Sequence, residues 1–132
     1  MNALETAIYT RLTGDATLMA LVTGVYAILA PDDAKFPLVV YQKLHSVDSY
    51  TLSRRIETNY SYQIKAINRG RSKSAIGSAM QCIDELLTLQ PLAVTGYQVY
   101  VVRRTGDIPD YQELIGDTIY FHVGAEFTFE LA

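Results

Sequence analysis

The chain has 132 residues, of which 49% are hydrophobic, and its formal net charge is −3. A chain of this length buries about two-thirds of its unfolded surface, so residues 1–132 can fold as one domain. The single cysteine, Cys82, excludes an internal disulfide framework. No apolar run approaches the roughly 18 residues of a membrane span, and no signal peptide is evident, so we expect a protein made in the cytoplasm.

The charges are unevenly distributed along the chain. The balance is −2 over residues 1–53, +5 over residues 54–104 and −6 over residues 105–132. A basic middle and an acidic end could bring copies together head to tail. The alternative is that both segments are solvated surfaces.

The first part of the chain predicts two short helices and one strand. Apolar residues at helical spacing predict a helix over residues 3–12, and Asp15 is placed to cap a second helix that ends at Gly24. A strand is predicted over residues 38–45. The polar stretch 46–54 predicts a loop or the tip of a long hairpin.

The second part predicts a larger helix between strands. In order, the pattern indicates a strand over residues 55–67, a helix that begins at Ser72 or Ser74 and ends near Leu87, a strand over residues 94–104, and a long loop over residues 105–117.

The last stretch, Thr118–Leu131, alternates apolar and polar residues and predicts a strand. Its length of roughly 46 Å would exceed the diameter of roughly 36 Å expected for a domain of this size. We therefore expect the strand to curl, to break at Gly124 as a bulge, or to pair outside its own domain. The order ααββαββ predicts an α+β fold, in which a four-stranded, mostly antiparallel sheet has helices packed on one face.

Few residues suggest chemistry. His45 and His122 lack metal-ligand spacing. Cys82 lies on the apolar stripe of a predicted helix, so we predict that it is a small buried apolar residue and not a nucleophile. No phosphate-binding or nucleophile motif occurs. We therefore predict no enzymatic activity, no cofactor and no metal, and we expect His122 at a surface or interface. Exposed tyrosines could stack nucleic-acid bases, but the element order does not fit an RNA-recognition fold.

One spaced pattern resembles a known family. Its members in this sequence are Leu12, Asp15, a Leu-x-x-Leu-Val helix ending in Gly24, Val25-Tyr26, Ala30-Pro31, and Pro37 leading into Val39-Val40-Tyr41-Gln42. The pattern is similar to that of the small tail-completion proteins of long-tailed bacteriophages and prophages, the tail-terminator or tail-to-head joining family.

The resemblance implies a structural protein of the virion tail, made in the bacterial host cytoplasm. Family members form a hexameric ring that caps the tail tube, ends its polymerisation and joins it to the head. The partners would be further copies of the chain, the major tail tube protein and the head-tail connector protein. DNA would pass through the lumen without specific binding, and the isolated chain could be monomeric.

Candidate residues for the oligomer or partner interface are charged, aromatic or exposed apolar side chains in the two expected loops and in the charged strands. They are Tyr50, Arg54, Arg55, Arg103, Arg104, Ile108, Asp110, Tyr111, Leu114, Glu126 and Glu130. The alternatives are that the two loops are only solvated, or that the protein is a head-side connector or neck protein. A small ligand-binding or regulatory dimer is the alternative from another class.

Overall fold

A computed structural model of the chain describes residues 2–70 and 74–132. These residues form the elements α1 Asn2–Thr13, α2 Ala16–Leu21, β1 Val25–Ala27, β2 Leu38–Tyr50, β3 Arg55–Arg69, α3 Ser74–Thr88, β4 Val99–Ile115 and β5 Thr118–Leu131. The strands form one mixed sheet in the order β1-β2-β3-β5-β4. β1 is parallel to β2, and the other neighbouring strands are antiparallel.

The predicted four-stranded sheet with the order ααββαββ is wrong, because β1 adds a fifth strand and the order is ααβββαββ. β1 has three residues, which is too short to show a period in the sequence. A strand that is parallel to its neighbour requires the chain to cross back before the neighbour begins. Residues 28–37 make this crossover, which could not be read from the sequence.

The helices cover one face of the sheet, and the apolar side chains of both layers form one buried cluster. Its largest fully buried members are Leu4, Ile8 and Leu12 of α1, Leu18 of α2, Ile76, Ile83 and Leu87 of α3, and Tyr62, Ile64, Phe127 and Phe129 of the sheet. We call the side of β5 that carries Phe127 and Phe129 the helix-covered face. The opposite side, which carries Glu126, Thr128 and Glu130, is the helix-free face.

The cap of α2 is as predicted, but its end is not. An Asp15 carboxylate oxygen accepts a hydrogen bond from the Leu18 amide at 2.9 Å, which confirms the capping prediction. The helix ends at Leu21, and the Val22 amide donates to the Leu18 carbonyl. Gly24 instead lies beside the ring of Tyr26, where a Cβ would come within 2.6 Å of the phenol oxygen.

Two predicted boundaries shift or lie outside the described residues. α3 begins at Ser74, and Ser72 falls in the part of the chain that is not described. Val94 pairs only with Tyr97, as an isolated bridge, so the strand predicted from residue 94 begins at Val99.

β5 is a central strand that is paired with β4 along its whole length and with β3 from Tyr120 to Leu131. The expectation that it extends as an arm is therefore wrong, because the neighbouring strands have 15 and 17 residues and match its 14. The predicted bulge at Gly124 is also wrong, since the ladder with β3 runs through it without a shift. Gly124 permits close approach instead, because a Cβ there would lie 2.7 Å from the Lys65 Cβ and 3.0 Å from the Ile64 carbonyl oxygen.

The loop predicted over residues 105–117 is mostly strand. β4 continues to Ile115, and Gly116 and Asp117 turn the chain into β5. β4 is an edge strand, where bulges and a proline are tolerated because one side needs no partner. Bulges between Arg104 and Gly106 and between Ile108 and Tyr111 take up the residues that had indicated a loop.

The stretch 46–54 is the end of a long hairpin, as one of the two predicted alternatives had it. β2 pairs with β3 as far as Tyr50 and Arg55, and the Thr51 amide closes the turn on the Arg54 carbonyl at 2.8 Å. β5 pairs with β3 only from Thr58 onward. The hairpin therefore projects beyond the end of β5 by three residues and the turn, or roughly 10 Å at about 3.3 Å per residue.

Candidate functional site

The helix-free face is polar in its middle. The Ser61 and Thr128 hydroxyls lie 3.4 Å apart, and Thr128 donates to the Thr105 hydroxyl at 3.3 Å. These contacts link β3, β5 and β4 across the face. Arg103 lies 3.8 Å from Glu130, and both side chains reach solvent. No described helix covers this middle part, so its side chains are available to a partner.

The acidic segment 105–132 does not lie on one face. The ladder between β4 and β5 places Glu113, Glu126 and Glu130 on the helix-free face, with Asp107 on the other. Asp107 accepts a hydrogen bond from Arg104 beside α3. The strong negative balance read from the sequence is therefore divided between the two sides of the sheet.

One end of the helix-free face forms a groove with a volume of about 410 Å³, which we call the end groove. The crossover 28–37 forms one of its walls, and its apolar lining includes Leu29, Phe36 and Leu38. The ring of Phe36 lies 5.3 Å from that of Tyr120. The groove exists because the parallel β1 sends the chain back over this end of the sheet.

His122 lines the end groove, and its side chain is only 8% exposed. Its ring stacks on Tyr111 with the centroids 4.2 Å apart, and neither ring nitrogen has a hydrogen-bond partner among the described residues. The Glu113 carboxylate lies 3.8 Å from one nitrogen, which is too far for a hydrogen bond. Burial lowers the pKa of His122, nearby Lys65 lowers it further, and Glu113 opposes both effects. His122 was expected at a surface or an interface, and the surface position is wrong because the imidazole is buried with the ring of Tyr111 stacked on it.

Cys82 is half-buried and unreactive. Its thiol donates to the Asp15 carboxylate at 3.4 Å, and burial, with that carboxylate, raises the pKa of Cys82 to about 11. The thiol is therefore neutral and a poor nucleophile. Residues 2–70 and 74–132 contain no group of three His, Cys, Asp or Glu side chains that could hold a metal ion. Within the same residues, no helix combines the length and apolar character needed to cross a bilayer.

A second groove of about 290 Å³ lies between α3 and the bulged part of β4. Gly77 opens it, since no atom lies within 4 Å of a Cβ built at this position. Asp84, Arg104 and Asp110 line its rim. The groove has a mixed apolar and charged lining, and its described residues show no arrangement of acid, base and nucleophile.

The candidate interface residues lie in three separate places. Tyr50, Arg54 and Arg55 are at the projecting hairpin; Arg103, Ile108, Tyr111, Glu126 and Glu130 are on the helix-free face; Arg104, Asp110 and Leu114 are on the opposite side of β4. Arg55 lies 3.9 Å from Asp48 of its own hairpin. The structure therefore provides three surfaces where the sequence suggested two loops.

The sequence reading missed the exposed apolar residues of two regions. Leu52 at the hairpin turn is fully exposed, and Leu29 beside the end groove is 81% exposed. Ile28 has a positive φ of 64°, which is unusual for a β-branched residue. The signal in the sequence was the presence of Val47, Tyr50 and Leu52 within the otherwise polar stretch 46–54, and such isolated apolar residues are weak indicators.

Comparison with known proteins agrees with this fold. The family model of tail completion protein gp17 matches residues 6–119. A chain of the virion of a native gene transfer agent particle has 18% identity and a TM-score of 0.74, covering 98% of this chain and 96% of that one. The gp17 protein of bacteriophage SPP1 has 24% identity and a TM-score of 0.61, covering 96% and 88%.

At these identities the two structures show a shared fold. No curated protein sequence matches the chain. The family match, however, covers most of the chain and includes the stretch whose pattern carried the resemblance. The chain therefore belongs to the tail completion protein gp17 family and is a structural protein of phage-like tails.

Proposed function

We propose that the protein forms a ring that caps a finished tail tube, ends its polymerisation and joins it to the head connector. The family match over residues 6–119 carries this proposal. The protein acts as a part of the particle, without catalysis and without a cofactor. Its partners are further copies of the chain, the major tail tube protein and the head-tail connector.

Two features of the sheet support association between copies. β1 covers the edge of β2 only from Val39 to Tyr41, so within the described residues the rest of that edge has no partner strand. The β2–β3 hairpin projects beyond the body, so it can reach a neighbour. Contacts between different surfaces of identical copies close into a ring when the rotation permits.

We assign the contact with the tail tube or the connector to the side of β4 that lies opposite to the helix-free face. Leu114 is an exposed apolar residue there, with the charged Arg104 and Asp110 on the same side of the strand. An apolar anchor within a polar surround is typical of protein interfaces. This surface is separate from the projecting hairpin, so one copy can contact its neighbour and the tube at the same time.

In this ring, DNA would pass through the central lumen without specific binding. Glu126 and Glu130 on the helix-free face would repel phosphates if that face lines the lumen. A Glu126→Lys/Glu130→Lys variant should leave assembly intact and slow DNA release from the particles. Unchanged release from particles that carry this variant would exclude the helix-free face from the lumen.

The first test is removal of the gene from cells that produce the particle, followed by complementation. Without the protein, electron microscopy should show tubes of uncontrolled length that are not joined to heads. The wild-type gene should restore joined tails of uniform length. Normal particles in its absence would refute the proposal, and tails of normal length without heads would indicate a head-side connector or neck protein instead.

The second test addresses the assigned surface. Leu114→Asp should reduce the binding of the protein to the tube end or the joining of tails to heads, while the chain still folds. Leu89→Asp is the matched control, since Leu89 is an equally exposed leucine after α3. Equal joining by both variants would remove the assignment to β4.

A further inference from the structure

The projecting hairpin carries an unusual amount of exposed apolar surface. Tyr50, Leu52 and Ile56 are exposed on the part that extends beyond β5, and Leu44 and Val47 are exposed on β2 beside the body. Several large apolar side chains exposed on one small element, rather than scattered singly, indicate an interaction site. The turn that holds Leu52 is itself ordered by hydrogen bonds between Thr51 and Arg54. The hairpin tip is therefore a preformed apolar projection.

The end groove lies at the opposite end of the same sheet. β2 begins at the groove and ends at the hairpin tip, and β5 begins at the groove and ends below the tip. A volume of about 410 Å³ falls within the usual range for clefts that take a compact group. Its apolar lining is bordered by the exposed Ile28 and Leu29.

The backbone at the rim of the groove is held in a costly conformation. Ile28 has a φ of 64°, and its amide donates to the Tyr41 carbonyl at 2.9 Å, which fixes it there. Such conformations are energetically costly and occur mainly at functional sites. Here the conformation keeps an apolar side chain exposed at the mouth of an apolar cleft.

The charges of the two ends are complementary. The tip carries Arg54 and Arg55, of which Arg55 lies 3.9 Å from Asp48 of its own hairpin, and the groove is lined by the carboxylates of Asp32 and Glu113. Lys65 also lines the groove, but its ammonium group is directed to the Tyr111 hydroxyl at 3.2 Å. An apolar contact surrounded by opposite charges fixes both the partner and its orientation.

On the basis of the proposed ring, we propose that the β2–β3 hairpin tip of one copy, centred on Leu52, occupies the end groove of the next copy. The two surfaces lie at opposite ends of one sheet, so a chain cannot satisfy its own groove. Each copy offers one tip and one groove, which makes the contact heterologous. Repetition around an axis uses every tip and every groove in a closed ring.

Cysteine cross-linking in assembled tails tests this contact directly. In a Cys82→Ser background, Leu52→Cys is combined with Leu29→Cys or Ala34→Cys, which place a second thiol at the rim or lining of the groove. Tails are purified from cells that produce the particle, oxidised and separated on a non-reducing gel. The expected result is a ladder of cross-linked chains that extends beyond the dimer.

The controls identify the geometry of the contact. Leu52→Cys alone can give no more than a dimer, and Leu52→Cys combined with Leu89→Cys should give no ladder. A ladder that stops at the dimer for the groove pairs would indicate a two-fold contact and overturn the proposal. A cross-link from residue 52 to a different tail protein would also overturn it, since the tip would then contact that protein.

A second variant separates this inference from the ring itself. Leu52→Asp should lower the amount of the protein on purified tails, measured by immunoblot, by at least tenfold. The Leu89→Asp variant should be present in the wild-type amount. If Leu52→Asp tails carry the wild-type amount, the hairpin contact is refuted and the ring proposal survives. If the wild-type protein is absent from tail ends, the proposed function itself has failed.

Discussion

The two hairpins of the sheet end in different ways. The β4–β5 hairpin is paired to its last residues and closes with Gly116 and Asp117. The β2–β3 hairpin runs beyond its other neighbour and ends in an exposed turn around Leu52. The first belongs to the folded body, because β5 is held on both sides. The projecting end of the second, residues 50–57, adds little to the core and is available for assembly.

The difference shows how stability and association are divided in this chain. Buried residues of β3 and β5 contact the helices, whereas β2 is exposed along most of its length from Gln42 to Tyr50. Changes in the body should therefore alter folding, and changes in the projection should alter assembly. Four predictions test this division.

The largest expected effect comes from creating a cavity in the core where β5 packs against the helices. Phe127→Ala should lower the free energy of unfolding by about 3–5 kcal/mol, because it leaves a cavity at a fully buried position. Leu52→Ala should lower it by less than about 0.5 kcal/mol. Urea unfolding followed by circular dichroism measures both. Similar losses for the two variants would end the distinction between the hairpins.

The next effect concerns close packing within the body. Gly124→Ala places a methyl group 2.7 Å from the Lys65 Cβ, so the strands must shift and we expect a loss of about 1–3 kcal/mol. Gly106→Ala in the neighbouring strand is the control, because nothing lies within 4 Å of its Cβ position. Thermal unfolding should rank Gly124→Ala clearly below the control. The reverse order would contradict the close approach.

A smaller effect should appear as a dependence of stability on pH. Burial, with Lys65 nearby, lowers the pKa of His122 below its unfolded value, so the unfolded chain binds more protons at acidic pH. The stability that neutral His122 contributes is fully present above the unfolded pKa of about 6.5 and is lost as the pH falls from there through the lower folded pKa. His122→Gln should therefore lose less stability than the wild type between pH 7.5 and pH 5.5. Parallel losses in urea unfolding at the two pH values would exclude His122 as a cause.

The smallest effect on folding is expected from the exposed ion pairs of the two hairpins. Arg103→Gln and Arg55→Gln remove contacts of 3.8 Å and 3.9 Å between side chains that reach solvent. Each should change the free energy of unfolding by less than about 1 kcal/mol. Arg55→Gln should nevertheless weaken incorporation into tails, measured by immunoblot, more than Arg103→Gln does. Equal incorporation would assign no assembly role to the charge at the tip.

Periodicity predicted the elements with long, regular patterns and missed those that depend on neighbours. α1, α3, β3 and β5 were found because their apolar faces repeat over several turns or pairs. β4 was cut short because Gly106 and Pro109 are turn residues in most settings, and only an edge position makes them acceptable. β1 was missed because three residues carry no period.

The surfaces were less predictable than the fold. The end groove depends on the parallel pairing of β1, which sends residues 28–37 over the sheet, and no local pattern encodes that path. His122 looked exposed because it alternates with buried residues of β5, and the ring stacked on it belongs to Tyr111, in a stretch where the sequence predicted a loop. Arg54 and Arg55 were selected as interface candidates for their charge. Leu52, which lies in the turn between the end of β2 and Arg54, could be recognised as a candidate only from its exposure in the structure.

The outer edge of β4 has a further consequence for how the protein is kept before use. A bare strand of 17 residues is a template on which extended chains can add, as in fibrils. Pro109 offers no amide hydrogen, and the bulges on either side of Ile108 interrupt the regular spacing of donors and acceptors. Asp107, Asp110 and Glu113 add like charges that repel a second copy of the edge. We expect these devices to keep the chain dispersed at high concentration until a tube end is ready to receive it.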